Sequence, residues 1–405
     1  MLDKVEHDSG VVTLNIIARE LRADELELGL NLRNEIFSPI TRDEWDNEHM
    51  TASIAFDGDK VIGLVPLALR KFKLASGISI VAAFENAVGT KEGYRSRGVG
   101  KAMIDAACGF LRGKADALFV YRADERSRGY NFYAKTGHVD LLSVRHFHVD
   151  DSIATIHSNV EVSYGLDEIL KYQFQLLEVF EETYHLYGGF PERHENYWAK
   201  ALSAHISIKP SEFYLFRLSK KGRLCAYILA GVRIDCDRLQ ILEMGACEKT
   251  NIIILLESAA KHASDRGLKG ISIKTSDTNP FLEVFTNLNF IPEPRELHVM
   301  SLSFDPKSLF NKVWKNRLGL PGVKIKIATP KNEIIISSGS QGASQVVTLE
   351  MKEETFVKWI MGRIDFSARI REGTITAINA SDDILERIGK AIPLNDWVYH
   401  HLDFI

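Results

Sequence analysis

A turn rich in arginine and glycine, Arg95-Ser96-Arg97-Gly98-Val99-Gly100, lies between a strand-like run, Ala82 to Thr90, and a helix-like run from Lys101. A strand that passes into a helix through such a turn points to a mixed α/β layer fold in which the turn opens the helix. Helix N-termini expose unpaired N–H groups and carry partial positive charge. Glycine lets phosphate oxygens reach the backbone, and arginine adds charge-assisted donors. The turn therefore suits a pyrophosphate; the alternative is a solvated basic turn of the same composition.

The flanking sequence fills in the layer. Val12–Ile17 reads as a strand, and Asp24–Ile36 as a helix with Leu28, Leu32 and Ile36 at i, i+4 and i+8. Thr51–Phe56 and Val61–Leu69 read as a strand pair joined at Asp57-Gly58-Asp59. Lys101–Leu111 carries Ala102, Met103, Ala106, Ala107 and Phe110, a helical stripe fit to cover a sheet. Leu118-Phe119-Val120-Tyr121 reads as a second buried strand. A short helical stretch ending Tyr133-Ala134-Lys135-Thr136-Gly137-His138 follows, then alternation through Val139, Leu142, Val144, His146 and His148.

This ordered set resembles the GNAT superfamily of acyl-CoA-dependent N-acyltransferases. The family's acyl-CoA loop, Arg/Gln-x-x-Gly-x-Gly/Ala, is matched by Arg95, Gly98 and Gly100. Its later Tyr-x-x-x-Gly-Phe motif is matched by Tyr133 and Gly137, with His138 in the aromatic place. The resemblance is strongest over residues 80–148 and implies acetyl-CoA as acyl donor.

A chain of 405 residues calls for two or three domains, and 45% hydrophobic residues supply their cores. A formal charge of −4 does not suggest a nucleic-acid binder. No apolar run approaches the ~18 residues of a membrane span. Met1-Leu2-Asp3-Lys4-Val5-Glu6 shows no export signal, so a cytoplasmic location is expected. Cys108, Cys225, Cys236 and Cys247 form no CxxC pair, which argues against a disulfide framework and a zinc site; Cys108 reads as a core residue.

Three segments are expected: a catalytic domain over 1–150, a degenerate copy of it over 155–303, and a third domain over 306–405. In the second, Leu239–Ala246 reads as a strand, Asn251–His262 as a helix and Gly270–Thr275 as a strand. Setting Phe285–Phe290 over Tyr133–His138 places Cys247-Glu248-Lys249-Thr250-Asn251-Ile252 over the Arg95–Gly100 turn. Both arginines and both glycines are missing there, and Phe285 lacks the tyrosine hydroxyl. The alternative is coincidence between two α/β domains. In the third, Asp305-Pro306 and Gly319-Leu320-Pro321-Gly322 read as turns, and Val323–Ala328, Glu333–Ser338 and Val346–Met351 as strands. Glu353–Met361 and Asp382–Ile388 read as helices. The run from Trp397 to Ile405 is aromatic and apolar, and a buried rather than a frayed end is expected.

This order is similar to that of the Eis (enhanced intracellular survival) acetyltransferases. Ile392-Pro393, Trp397 and Asp403-Phe404 resemble the close of their third domain, and Gly188-Gly189-Phe190, Arg193 and Trp198 their central one. The resemblance implies tandem GNAT folds, mixed sheets flanked by helices, followed by a sterol-carrier-protein-like α+β domain. It also implies a homo-oligomer, the relatives forming hexamers.

The site residues follow from the resemblance. Arg95, Ser96, Arg97, Gly98, Val99, Gly100 and Lys101 would hold the acyl-CoA phosphates, and Val88, Gly89 and Thr90 would line the pantetheine arm. Val88 reads equally as core, and Lys101 equally as a solvated helix start. Tyr133 would act as general acid to the departing thiolate, a phenol of reference pKa near 10 being able to donate there; the alternative is an aromatic packed on the sheet. In Eis-type enzymes the chain-terminal carboxylate is the base, which falls on Ile405. Glu85 is second in line for that role, and His400 and His401 third. His146 and His148 share one strand face and are taken as structural. Transfer to an amine needs no covalent enzyme intermediate and no metal. The expected acceptor is a small-molecule or peptide amine, such as a polyamine, an aminoglycoside or a lysine side chain. A non-catalytic protein binding acyl-CoA or lipid through the third domain, or an inert scaffold, would be the competing readings.

Overall fold

The structure is a computed structural model that describes residues 15–37, 39–42, 45, 50–123, 127–294, 297–314, 317, 320, 322–330, 333–337 and 345–404. The chain divides into two compact units. One comprises residues up to Ala68 with Glu85–Arg112; the other comprises Leu69–Phe84 with the residues from Gly113 onward.

The elements up to residue 112 are β1 (Ile16–Glu20), α1 (Leu26–Ile36), β2 (Met50–Asp57), β3 (Lys60–Ala75), β4 (Ile78–Glu85), β5 (Gly89–Thr90) and α2 (Val99–Leu111). In the first unit, β1 and β2 pair antiparallel, and β2 pairs with the first half of β3 through a turn at Gly58, whose φ of 59° favours glycine. β5 lies on Gly63 and Leu64 of β3. Helix α2 buries Val99, Met103, Ile104, Ala107 and Leu111. Gly63 lets the helix approach the sheet, since a Cβ there would stand 2.8 Å from the Met103 sulfur.

Two expectations are corrected here. The leucine-rich sequence of α1 offers two stripes, and the core of Trp45, Ile54 and Leu64 takes Leu30 and Leu32, leaving Leu28 48% exposed. The strand expected over Ala82–Thr90 is broken into β4 and β5 by residues 86–88, with Ala87 at a φ of 48°. A non-glycine residue in that region marks local strain.

The second unit continues with β6 (Ala117–Ala123), α3 (Arg128–Thr136), β7 (Val139–Val149), β8 (Val160–Tyr164), α4 (Leu166–Leu170), α5 (Gln173–Tyr184), β9 (Phe190–Pro191) and α6 (Tyr197–Ala204). Then come β10 (Ile208–Lys220), β11 (Arg223–Arg233), β12 (Leu239–Ala246), α7 (Lys249–Asp265), β13 (Ile271–Ser276), α8 (Leu282–Asn287), β14 (Ile291–Pro292) and β15 (Leu297–Ser303). The strand order is β4-β6-β15-β7-β13-β12-β11-β10-β8.

That order contains a reciprocal exchange. β15, late in the chain, inserts between β6 and β7, pairing antiparallel with both. β7 in turn pairs antiparallel with β13. Each strand that follows a short helix, α3 or α8, thus closes the edge of the strand preceding the other helix. An unpaired strand edge is a liability, and the exchange removes two of them.

The two strand–helix–strand passages share fine detail. α3 ends at Gly137 with φ 95°, and α8 is followed by Asn289 with φ 58°. His138 N–H donates to the Tyr133 carbonyl at 3.1 Å, and Phe290 N–H donates to the Phe285 carbonyl at 2.9 Å. Both are left-handed helix endings, with glycine or asparagine where those residues are tolerated best.

The chain ends with α9 (Pro306–Val313), β16 (Val323–Ala328), β17 (Glu333–Ser337), β18 (Gln345–Glu350), α10 (Glu353–Ile360), α11 (Phe366–Arg371), β19 (Thr376–Ile378) and α12 (Asp382–Ala391). These strands form a separate sheet of order β17-β16-β18-β19. Asp305-Pro306, expected as a turn, starts α9 instead: the Asp305 carboxylate accepts from Ser308 N–H at 3.0 Å, and Pro306 fills the first helical turn.

Candidate active site

The Arg95–Gly100 turn is wound by two left-handed residues, Ser96 at φ 62° and Gly98 at φ 87°. Gly98 stands as the N-cap of α2 and supplies no side chain to it. The first intrahelical bond runs from Ala102 N–H to the Gly98 carbonyl. Glycine at the N-cap has no side chain to offer, so the first-turn N–H groups at Val99, Gly100 and Lys101 take no cap from that position. Arg95, Ser96, Arg97 and Gly98 are exposed, while Val99 is buried as the anchor of the turn. The Arg95 Nε donates to the Thr90 carbonyl at 3.2 Å, which ties the turn to the end of β5. Lys101 is engaged by Asp105 at 2.5 Å along the helix.

The preceding residues are set by packing. Val88 and Thr90 are half-buried and Gly89 is buried. A Cβ at Gly89 would stand 2.8 Å from the Phe37 ring and 3.0 Å from Ile36, so the glycine is required by the neighbouring helix α1. Glu85, the last residue of β4, is buried. Cys108 is half-buried on α2, and burial, with Glu85 and Asp105 adding to it, pushes its thiol up to about 11.

In the second unit, Tyr133 sits on α3 with 1% of its surface exposed. His138 meets its ring edge-on at 4.9 Å, and the Arg122 guanidinium lies 5.6 Å from its centroid. His138 is itself fixed by the Thr136 hydroxyl, 3.0 Å from its Nδ1. The place of Tyr133 in the second passage is held by Phe285, packed against Phe147 and Phe290. Between β12 and α7 only Cys247 and Glu248 remain, with Glu248 as N-cap. No phosphate loop fits in two residues, and a glutamate at a helix N-terminus repels an anion.

β4 runs parallel to β6 only over Ala82–Phe84 against Ala117–Phe119. β6 goes on to Ala123 with β15 on its other side. Beyond Phe119, the edge of β6 that faces away from β15 has no strand partner among the described residues. Such an edge can receive an extended chain bearing amides. The Tyr121 ring stands at this stretch, 5.6 Å from Phe84, 5.5 Å from Tyr399 and 5.9 Å from Phe404.

The aromatic end of the chain is buried from Trp397 to Asp403. Val398 N–H donates to the Gly188 carbonyl at 2.8 Å, Gly188 N–H to that of Asp396 at 2.9 Å, and the Trp397 indole to that of Leu74 at 2.9 Å. His400 is walled by Phe180, Tyr184 and Phe190, and burial holds it well below the usual histidine range. His401 is likewise held low by burial, with His205 adding to it, and its Nδ1 lies 3.1 Å from the Tyr399 hydroxyl. Ile405, the residue expected to carry the base, lies outside the described residues.

A sealed polar network underlies this tail. Arg193 contacts Asp403 at 2.9 Å and donates twice to Glu243, at 2.6 and 3.0 Å. Trp198 and Tyr227 donate to the other Glu243 oxygen at 2.8 and 2.9 Å, and the Tyr197 hydroxyl donates to Asp403. Burial raises Asp403 to about 6 against the opposing pull of Arg193 and Tyr197. Sequence reasoning assigned none of these charges a role; the one available signal was an acid inside the apolar run Trp397–Ile405. His146 and His148 share a single carboxylate, Glu293, at 3.0 and 3.1 Å. No group of three metal-binding side chains among the described residues is arranged to hold an ion, and no described helix is long and apolar enough to cross a membrane.

Residues 17–138, which span the turn, β6 and Tyr133, match the pattern of the Acetyltransferase (GNAT) family. The chain carries a GNAT acetyltransferase domain. The match supports an acyltransferase activity for this stretch of the chain. No protein of curated function matches the sequence. The solved structures similar to it include a probable N-acyltransferase of Enterococcus faecalis V583, at 13% identity and a TM-score of 0.71, covering 95% of this chain and 99% of that one. A GCN5-related N-acetyltransferase of Anabaena variabilis ATCC 29413 matches at 14% identity and a TM-score of 0.66, over 94% and 98% of the two chains. Eis1 of Mycobacterium abscessus matches at 12% identity and a TM-score of 0.63, over 96% and 100%. At these identities the likeness is one of fold, and it extends beyond the GNAT domain to nearly the whole chain.

Proposed function

We propose that the protein moves an acetyl group from acetyl-CoA directly to an amine within a ternary complex. The observation that carries this reading is the start of α2, where an exposed turn with two arginines and two left-handed residues ends in an N-cap glycine that supplies no capping side chain. The pyrophosphate of acetyl-CoA would bind there.

The chemistry needs a neutral amine to attack the thioester carbonyl, forming the C–N bond and a tetrahedral oxyanion. Collapse breaks the C–S bond, and the departing thiolate takes a proton. In this proposal Tyr133 gives that proton, and Glu85 receives the one lost by the amine. The second strand–helix–strand passage acts as a silent copy, since it has neither loop nor hydroxyl. A cationic acceptor such as a polyamine, an aminoglycoside or a lysine side chain is consistent with the chain's net negative charge.

Calorimetric titration with acetyl-CoA tests the reading. One micromolar site per chain, followed by amine-dependent release of free thiol, is the expected result. Two sites would end the silent-copy assignment. No binding at millimolar acetyl-CoA would end the enzymatic one, and lipid co-purifying with the chain would then favour a binding protein.

A further inference from the structure

Asp403 is an acid buried inside an apolar tail, and everything that contacts it is organised. Arg193 contacts it at 2.9 Å and the Tyr197 hydroxyl donates to the same oxygen. Arg193 cannot swing away, because its Nη1 donates to the Pro191 carbonyl at 2.8 Å and its other nitrogens hold Glu243. Its guanidinium also lies over the Tyr197 and Phe180 rings, at 4.1 and 4.5 Å. The next residue, Phe404, stacks on His401 at 5.6 Å and meets Tyr121 at 5.9 Å. Tyr121 lies on the stretch of β6 that lacks a strand partner on one side, one residue before Arg122, whose guanidinium lies over Tyr133.

We propose that Asp403 is a positioning residue for acyl transfer: its grip on Arg193 and Tyr197 seats Phe404 against Tyr121 and so fixes the open edge of β6. The proposal rests on the acetyltransferase reading above and adds to it the residue that holds the tail in place. A fixed aromatic wall on this edge matters because acyl transfer is sensitive to small displacements of the reacting groups.

The grip depends on pH. The groups that act on the Asp403 carboxylate are Arg193, Tyr197, Glu243 and Arg70, and Tyr121 feels its charge in turn. The anionic form attracts Arg193 and Arg70 and opposes Glu243; protonation removes those charge terms together.

The test uses the full 405-residue chain and the substitution Asp403→Asn, which keeps the shape and removes the charge. Carboxypeptidase Y release of residues from the C-terminal end, followed by mass spectrometry, reads the grip without reference to activity. The expected release is about fivefold faster or more in the variant, as for a segment whose local opening has become easier. In parallel, kcat/KM for the amine should fall about tenfold while the acetyl-CoA Kd stays within about twofold. Tyr197→Phe, which removes one donor only, should shift release and kcat/KM in the same direction by less, and it stands in if Asp403→Asn does not fold. Unchanged release together with unchanged kinetics overturns the proposal. Parallel loss of cofactor binding, acceptor kinetics and melting temperature also overturns it, by showing a purely structural role. A wild-type chain that binds no acetyl-CoA sinks the acetyltransferase reading, and the carboxypeptidase result then judges the grip alone.

Discussion

Arg193 and Glu243 form a contact of 2.6 Å with neither side chain exposed to solvent. Two ions taken out of water are tolerable only while each keeps its partners. Replacing Arg193 with Met should therefore destabilise the protein by about 3–5 kcal/mol, because Glu243 and Asp403 would be left buried without a counter-charge. Urea unfolding followed by tryptophan fluorescence checks this, and a loss below ~1 kcal/mol would show that water reaches the network.

The tail is threaded past a pair of glycines that have no alternative. Gly189 has a φ of 87°, and a Cβ there would stand 2.5 Å from that of Trp397; at Gly188 it would stand 2.2 Å from the Leu74 carbonyl oxygen. Gly222 has a φ of 78° but nothing within 4 Å. Gly222→Ala should cost only the backbone strain, about 1–2 kcal/mol. Gly189→Ala should add about 1–3 kcal/mol for the overlap. Thermal unfolding of the two variants side by side separates these terms.

The acid response of stability has a definite sign at Asp403. Its folded value is raised to about 6, above the unfolded reference of about 3.9. A group raised on folding contributes fully below the unfolded value and loses that contribution as pH rises through the folded one. Between pH 4 and 7 the stability of the wild type relative to Asp403→Asn should therefore fall, by something on the order of 3 kcal/mol. Urea midpoints at the two pH values measure it, and a rise with pH would reverse the assigned sign.

Tyr133→Phe should lower kcat about 100-fold and leave the acetyl-CoA Kd unchanged, as expected for loss of a general acid. The ring contacts with His138 and Arg122 do not require the hydroxyl. Undiminished turnover would remove Tyr133 from the mechanism.

Arg97 is exposed on the turn beside Gly98. Arg97→Ala should raise the acetyl-CoA Kd about three- to tenfold, as for one charge-assisted hydrogen bond at a wet site. The effect should shrink as salt is raised. Calorimetry at two salt concentrations reads both, and an unaltered Kd would leave phosphate binding to the backbone of α2.

Local chemistry made much of this protein legible. The turn before α2, the hairpin at Gly58, the helix that ends at Gly137 and the strand–helix–strand passage over 239–276 were readable because each depends on residues close in sequence. The missing loop in the second passage was legible in the same way, as the absence of arginine and glycine. Periodicity was less decisive where a helix carries apolar residues on two faces, and in α1 only the neighbouring core chose Leu30 over Leu28.

What the sequence by itself determined, then, is the class of fold and the residue types at the turn and at Tyr133, since these follow from backbone preference and short-range spacing. Tertiary structure alone decided that β15 would lie between β6 and β7, with more than about 150 residues separating Val299 from its paired positions Leu142 and Tyr121. It also brought Glu293 to His146 and His148, and Arg193 to Asp403. Those partners are set by where strands can close an edge and where a charge can be buried, and both are properties of the assembled core.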